Sequence, residues 1–178
     1  IDVTDQMLAR EILRESEQRF RLIADSAPVP IWVTKMDRTR SFANRAYVDF
    51  VGLPYDEALA LDWRKVLHPD DLARVLKQSV EGEASLKPFV LEARYRNAAG
   101  DWRWLRSESQ PRWDPNGKHV GFIGVAHDIT AAKQAEIELR RLNETLEERI
   151  AERPAELESN ESRLRAILET SNQYQGLV

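Results

Sequence analysis

The stretch "FVLEARYRNAAGDWRWLRSESQPRWDPNGKHVGFIGVAHDIT", residues 89–130, decides the fold. Its opening segment, "FVLEARYRN", alternates apolar and polar side chains, which is the period of a β-strand with one buried face. Two turn signals, "AAGD" at 98–101 and "DPNG" at 114–117, then connect three extended segments as successive hairpins. The stretch therefore predicts three consecutive antiparallel strands.

Upstream of this stretch the sequence predicts two more strands and a helical layer. "IWVT" at 31–34 and "RSFAN" at 40–44 are short strands around a turn. Between residues 44 and 79 the signals are short helices and loops, and "HPDD" at 68–71 begins a new helix with proline in its first turn. Residues 5–25 form an amino-terminal helix that Pro28 and Pro30 stop. The fold class is α+β, an antiparallel sheet of about five strands with helices between its second and third strands.

Downstream of Thr130 the chain is rich in Ala, Glu, Lys, Arg and Leu, which predicts a long amphipathic helix. Its apolar residues follow two heptad frames displaced by four residues, an irregularity that locally unwinds a coiled coil. The first frame holds Leu139, Leu142 and Leu146, and the second holds Ile150, Leu157 and Leu164. Because Pro154 lies within this segment, we expect a kink or break near residues 150–154.

The end of the chain repeats its beginning. Residues 161–170, "ESRLRAILET", resemble residues 17–26, "EQRFRLIADS", and both precede a short polar or proline-containing stretch and an apolar one. Two charged amphipathic helices can also resemble each other by composition alone. The repeat predicts that residues 161–178 begin a second copy of the domain, as a helix followed by the start of a strand at "GLV".

The composition excludes several classes of function. The 178 residues include 26 basic and 30 acidic side chains, a net charge of -4, which offers no basic footprint for nucleic acid or an anionic membrane. Cysteine is absent, so disulfides, thiolate metal sites and cysteine nucleophiles are excluded. No apolar run approaches the roughly 18 residues that a membrane-spanning helix needs.

Taken together, these segments resemble a PAS domain of the sensory-box type that is common in bacterial sensor proteins. The residues that carry the likeness are "FANRAYVDFVGLPYDEAL", "HPDD", the run from Glu92 to Thr130 and its terminal "DIT". The resemblance implies a five-stranded antiparallel sheet that cradles helices around a central pocket. We expect a linker helix at 1–15, the PAS domain at 16–130, a coiled-coil-like linker at 131–160 and a truncated second PAS domain at 161–178.

The resemblance also implies a function. Such domains are sensory or dimerising modules, followed by a helical linker to another sensor domain, a histidine kinase or a cyclic-dinucleotide enzyme. We expect a cytoplasmic, homodimeric signal-relay module, most directly of a two-component sensor histidine kinase, that couples a pocket or dimer state to an output domain. The alternatives are a ligand-free structural dimerisation module and a module of a cyclic-dinucleotide enzyme. This stretch has no catalytic motif of its own, so any kinase activity belongs to the full-length protein.

Strand alternation and the aromatic residues predict where a ligand would lie. Four sheet residues point toward the helical layer, and five others could close a pocket from the opposite side. In chain order the candidates are Trp32, Asn44, Tyr47, Phe50, Trp63, Tyr95, Leu105, Phe122 and Ala126. These side chains either fill the core or surround a small molecule. The sequence does not identify a cofactor, because it has no cysteine for a flavin adduct, no recognisable metal site and no clear haem ligand. The histidine that could come into question as a haem ligand, His68, is interpreted as a helix-start or packing residue.

The junction between the last strand and the outgoing helix is the predicted signal-relay site. A four-residue "DPNG" loop would set Arg103 opposite Asp128 and Leu105 opposite Ala126. Asp128 would then pair with Arg103 and, with Thr130, offer a side-chain oxygen to the free N–H groups at the start of the helix. Trp102 and Trp104 fall on the outer sheet face, which implies a covering helix or a second subunit.

Overall fold

The secondary-structure elements follow the predicted order. The computed structural model describes residues 3–175, apart from the side chains of residues 152, 155, 156 and 170–175. The helices are α1 (Val3–Ser26), α2 (Arg45–Val51), α3 (Tyr55–Ala60), a 3₁₀ turn (Trp63–Lys65), α4 (Pro69–Ser85) and α5 (Thr130–Gln175). The strands are β1 (Ile31–Thr34), β2 (Arg40–Ala43), β3 (Phe89–Arg96), β4 (Trp102–Trp113) and β5 (His119–Asp128). The chain divides into two units after Thr130.

All five strands form one antiparallel sheet in the order β2-β1-β5-β4-β3. The last strand in the sequence, β5, therefore lies in the centre, hydrogen-bonded to β1 on one side and to β4 on the other. Helices α2 to α4 lie between the second and third strands in the sequence. This arrangement confirms the predicted α+β fold.

The predicted register of the β4–β5 hairpin is wrong by two residues. Leu105 lies opposite Asp128 rather than Ala126, and Ala126 lies opposite Ser107. One residue of the shift comes from the loop, which Asp114 and Lys118 close through a backbone hydrogen bond of 2.9 Å. The other comes from a bulge in the pairing between residues 112–113 of β4 and 119–121 of β5.

Glycine is required at the bulge. Gly121 has a φ of 124°, and a Cβ built on it would lie 2.0 Å from the carbonyl oxygen of Thr34 on the neighbouring strand. The hairpin loop likewise contains Gly117 at a φ of 77°. Gly117 belongs to the "DPNG" segment, whereas Gly121 lies outside it.

The end of α1 packs on the outer face of the sheet. Ala24 is buried with Val33 of β1 and Phe42 of β2, and Ile123 of β5 packs against this cluster. The ring of Phe20 lies 5.1 Å from that of Phe42, centroid to centroid. The covering helix predicted for the outer face is therefore present over the β1, β2 and β5 side. On the β4 side, Trp102 remains 41% exposed.

Asn44 holds the start of α2 to the segment between α1 and β1. Its Oδ1 accepts hydrogen bonds from the backbone N–H groups of Ile31 (2.8 Å) and Tyr47 (3.0 Å). Its Nδ2 donates to the carbonyl oxygens of Ala24 (2.8 Å) and Val29 (2.9 Å). The side chain is fully buried, so these four bonds use its whole hydrogen-bonding capacity.

The "HPDD" segment forms the amino-terminal cap of α4. His68 is the N-cap residue, and its Nδ1 accepts a hydrogen bond of 3.2 Å from the backbone N–H of Asp70. Pro69 is in the first turn, where its missing N–H has no cost. The His68 ring also packs edge-on against Trp102, with centroids 4.7 Å apart. The interpretation of His68 as a helix-start and packing residue is confirmed.

Asp71 ties the start of α4 to β3. Its carboxylate accepts hydrogen bonds from the Arg94 backbone N–H (3.0 Å), from Arg94 Nε (3.0 Å) and from Arg74 Nη2 (3.3 Å). Burial disfavours the charged carboxylate, but the hydrogen bonds and charge of Arg94, with those of Arg74, outweigh it and lower the pKa of Asp71 to about 2. Helix α4 is thus anchored to the sheet by a buried carboxylate.

The second unit contains one helix, α5, which continues through Pro154 to Gln175. The predicted break near residues 150–154 is wrong, because strong helix formers on both sides of the proline sustain the helix despite one missing N–H. A kink at Pro154 stays a prediction. The predicted strand at residues 176–178 lies outside the described residues.

Candidate ligand cavity and exit junction

A cavity of about 440 Å³ lies between the inner sheet face and a helical layer of α2, the 3₁₀ turn and α4. Eight of the nine predicted pocket residues line it, namely Trp32, Tyr47, Phe50, Trp63, Tyr95, Leu105, Phe122 and Ala126. These side chains leave a space between them in the structure, and whether a small molecule occupies it stays a prediction. Asn44 does not line the cavity, because its side chain forms four hydrogen bonds to backbone groups at the start of α2 and in the preceding segment. A volume of this size falls within the range of small-molecule sites, roughly 300–1,000 Å³.

Aromatic side chains form much of the cavity wall. The indole of Trp32 lies over Gly124, where an added Cβ would come within 2.3 Å of the ring. Trp32 and Tyr47 are in tilted contact with ring centroids 6.0 Å apart, and Phe89 meets Phe122 edge-on at 5.7 Å. The glycine thus makes room for an aromatic ring on the central strand, and the wall offers flat apolar surfaces to a ligand.

Two tyrosines, Tyr47 and Tyr95, contribute hydroxyl groups to the cavity wall. Neither Tyr47 nor Tyr95 has a side-chain hydrogen-bond partner among the described residues, and Tyr47 is only 9% exposed. Burial raises the pKa of Tyr95 to about 12, with Tyr47 contributing, and burial also raises the pKa of Tyr47, although Arg40 acts in the opposite direction. Both phenols are therefore protonated at neutral pH.

Charged residues surround part of the cavity. Arg38 in the β1–β2 turn forms an ion pair of 2.7 Å with Glu83 of α4, and both residues line the cavity. Arg40 lies with its guanidinium carbon 5.1 Å from the centre of the Tyr47 ring, and it donates to the carbonyl of Leu61. The pair between Arg38 and Glu83 links the β1–β2 turn to α4, and both of these elements line the cavity.

Sequence reasoning missed these charged residues and two serines. Ser107 and Ser109 of β4 line the cavity on the same face as Leu105. The alternation of "LRSES" placed them on that face, so this signal could have found them. Arg38 and Arg40 gave no comparable signal, because charged side chains in and after a turn are normally solvated.

At the other end of β5, the junction joins the strand to α5. Arg103 Nε donates to Asp128 Oδ2 at 2.8 Å, so the predicted ion pair is present, but it is diagonal because of the register shift. Asp128 Oδ1 accepts from the Thr130 backbone N–H at 2.9 Å. The Thr130 hydroxyl does not cap the helix as predicted; it accepts from the Trp104 N–H at 2.9 Å, and Ile129 N–H donates to the Trp104 carbonyl at 2.8 Å.

The hydrogen bonds at the junction also favour the charged form of Asp128. Partial burial disfavours that form, but hydrogen bonding from Thr130, joined by Arg103, outweighs it and holds the pKa of Asp128 below its ordinary value. Thr130 itself is buried, with 6% exposure. The first residue of the outgoing helix is thus fixed to β4 as well as to β5.

Comparison with known proteins identifies this fold. Residues 40–126 match a family described as "PAS fold". These residues form a PAS domain. The match extends from β2 nearly to the end of β5, so it includes most of the cavity wall and stops just before the junction. The resemblance noted in the sequence is therefore confirmed.

Relatives of the PAS domain include sensor proteins. The chain is 36% identical over 137 residues to the uncharacterized protein y4lL of Sinorhizobium fredii, across 77% of this chain and 17% of that protein. It is 29% identical over 147 residues to the two-component sensor PprA of Pseudomonas aeruginosa, across 78% of this chain and 15% of that protein. The chain therefore spans about a sixth of the length of these two relatives.

A solved structure shows the same fold. The sensory box histidine kinase/response regulator from Burkholderia thailandensis superposes with a TM-score of 0.56 at 28% identity, over 72% of this chain and 97% of that chain. This PAS domain is thus homologous to PAS domains of sensor proteins. Within residues 3–175, no helix has the length and hydropathy needed to cross a membrane.

Proposed function

We propose that this chain is the sensory and signal-relay module of a multidomain bacterial sensor histidine kinase. In this proposal the occupant of the cavity, or the dimer state, biases the helix that leaves the domain after the "DIT" segment. The kinase or other output domain lies in the same full-length protein. The module works on the cytoplasmic side, where ATP for a kinase reaction is available.

One observation carries the proposal. The central strand β5 contributes Phe122 and Ala126 to the cavity wall, and it ends at Asp128, where the ion pair and hydrogen bonds of the junction begin. A displacement of β5 by a ligand would therefore reach Thr130 through covalent continuity and through the contacts to β4. A ligand shifts such an equilibrium only by its difference in affinity for the two arrangements.

The junction can be tested with Asp128→Ala and Arg103→Ala in the full-length protein. Both partners are 40% exposed, so loss of the pair itself costs less than about 1 kcal/mol and the domain stays folded. We expect output activity to lose its dependence on the sensory domain in both variants. The measurement is autophosphorylation of the full-length protein, with and without its PAS domain as the reference for uncoupling.

A matched control is Arg106→Ala. Arg106 is on the same strand, is similarly exposed and pairs with Glu108, but it is not part of the junction. We expect normal regulation in this variant. If the two junction variants regulate output as the wild type does, while folding normally, the relay through this pair is wrong.

We further propose that the module forms a homodimer through α1, the outer sheet face or α5. Several apolar side chains of α1 and α5 remain 60% exposed or more, among them Leu8, Ile12 and Leu139. Such exposure over two long helices supports association with a second copy. The chain is expected to sediment as a dimer at high micromolar concentration.

The site of association can be located by substitution. Leu8→Glu with Ile12→Glu tests α1, and Leu139→Glu with Leu142→Glu tests α5, since a buried charge in the interface would dissociate the dimer. The pair that yields monomers identifies the interface. A wild-type chain that sediments as a monomer under the same conditions contradicts the dimer.

A further inference from the structure

The residues that line the cavity carry a net positive charge, whereas the whole chain is net negative. The lining includes the basic residues Lys35, Arg38 and Arg40 and the acidic residue Glu83, whereas the chain has a net charge of -4. Glu83 is already paired with Arg38 at 2.7 Å. Among the described residues Arg40 forms no ion pair, although it lies at the cavity wall. The lining therefore carries an excess of positive charge that no carboxylate of the wall neutralises.

Arg40 adjoins a group of hydrogen-bond donors. Its guanidinium packs over the ring of Tyr47, and one of its N–H groups is used by the carbonyl of Leu61. The hydroxyls of Tyr47 and Tyr95 have no partner among the described residues, and both are protonated. Tyr47 lines the cavity and is 9% exposed, so its hydroxyl is available to an acceptor bound there. A guanidinium and two phenol hydroxyls together suit an anion with two acceptor oxygens.

Much of the remaining wall is aromatic. The cavity is lined by Trp32, Phe50, Trp63, Phe89 and Phe122. Aromatic walls favour a flat ring system, because rings pack in offset or edge-on contact. The volume of about 440 Å³ accommodates one or two fused rings with a small substituent.

We infer that the cavity takes a small carboxylate with an aromatic body, whose carboxylate is bound by Arg40 with the hydroxyls of Tyr47 and Tyr95. This inference rests on the proposed sensory function and specifies its ligand. A cationic ligand would face the basic residues unfavourably, and a neutral ligand would leave Arg40 without an anionic partner.

The test compares two probes of the same shape and different charge. Isothermal titration calorimetry of the 178-residue chain at pH 7 measures binding of 2-naphthoate and of its neutral isostere 2-naphthamide. We expect the acid to bind about tenfold more tightly than the amide, which is the order of one charge-assisted hydrogen bond. Arg40→Met should reduce this ratio to about one, and Tyr47→Phe and Tyr95→Phe should each weaken binding of the acid several-fold.

Two further variants test whether the preference for the acid depends on the Arg40 guanidinium rather than on positive charge in general. Arg45→Met removes one positive charge from an exposed position outside the cavity, and it should keep the preference for the acid. Arg40→Lys keeps the charge without the planar fork, and it should give an intermediate ratio even if Arg40→Met folds poorly. Thermal unfolding of each variant checks folding.

Three results would overturn the inference: equal binding of acid and amide, an unchanged preference in both Arg40 variants, or no binding of either probe. These results differ from a failure of the proposed function. Regulation of the full-length protein that ignores the junction variants would contradict signal relay, whatever the calorimetry shows. Equal binding of the two probes would leave relay intact and reject only the carboxylate ligand.

Discussion

Replacing Asn44 with alanine is expected to lower the free energy of unfolding by about 3–5 kcal/mol. The change leaves the N–H groups of Ile31 and Tyr47 and the carbonyl groups of Ala24 and Val29 without their partner. Because the side chain is fully buried, water cannot replace these bonds without a rearrangement of α1 and α2. Chemical denaturation followed by circular dichroism measures the effect.

Two companion variants define the cause of this loss. Asn44→Asp keeps the two accepted hydrogen bonds and the N-cap, but it places a carboxylate against two carbonyl oxygens, so it should also be destabilising. Asn97→Ala removes a single accepted bond in an exposed turn, from the Asp101 N–H at 2.8 Å, and should cost about 1 kcal/mol or less. A stability of Asn44→Ala within 1 kcal/mol of wild type would show that the four bonds do not hold these segments together.

Replacing Asp71 with asparagine is expected to cost about 2 kcal/mol at pH 7. The substitution keeps the shape of the side chain but removes the charge that pairs with Arg94 and Arg74. Asp70→Asn is the control, since Asp70 is in the same motif but its side chain is 74% exposed, and its pair with Arg94 spans 3.6 Å. The control should change stability by less than about 1 kcal/mol.

The effect of Asp71 should depend on pH in a defined direction. Its pKa in the folded protein is about 2, below the usual 3.8, so the folded state favours the charged carboxylate. The stabilisation is therefore complete well above pH 3.8 and is lost as the pH falls through about 2. Denaturation of wild type and Asp71→Asn at pH 7, 4 and 3 should show the difference in stability shrinking. A difference that is constant over this range would contradict the role of the charged pair.

The sheet was predictable because its signals are local. Alternation in β3 and the turn residues between β3, β4 and β5 indicated strands, and Leu105 and Ala126 line the cavity on the predicted face. The register was not predictable from the loop motif, because the Asp114 side chain closes the loop by accepting from the N–H groups of Asn116 and Lys118. The bulge at Gly121 also depends on close contact with β1, which is distant in sequence.

The site was predictable in composition more than in detail. Large aromatic side chains pointed to the interior, but only their packing around Gly124 and along α4 determines that they leave space between them. Asn44 looked like a pocket residue because a buried polar side chain suits a ligand equally well. Its actual role depends on carbonyl groups from residues 15 and 20 positions earlier, which no local pattern brings together.

The two one-residue shifts of the β4–β5 hairpin limit which insertions and deletions it can tolerate during evolution. Each shift alone would turn Leu105 and Phe122 to opposite faces of the sheet, whereas together they restore the original sides. An insertion or deletion of one residue in the 114–118 loop would therefore expel cavity residues unless the bulge at Gly121 were gained or lost with it. Homologous sequences should vary in this hairpin by even numbers of residues, or by one residue together with the glycine.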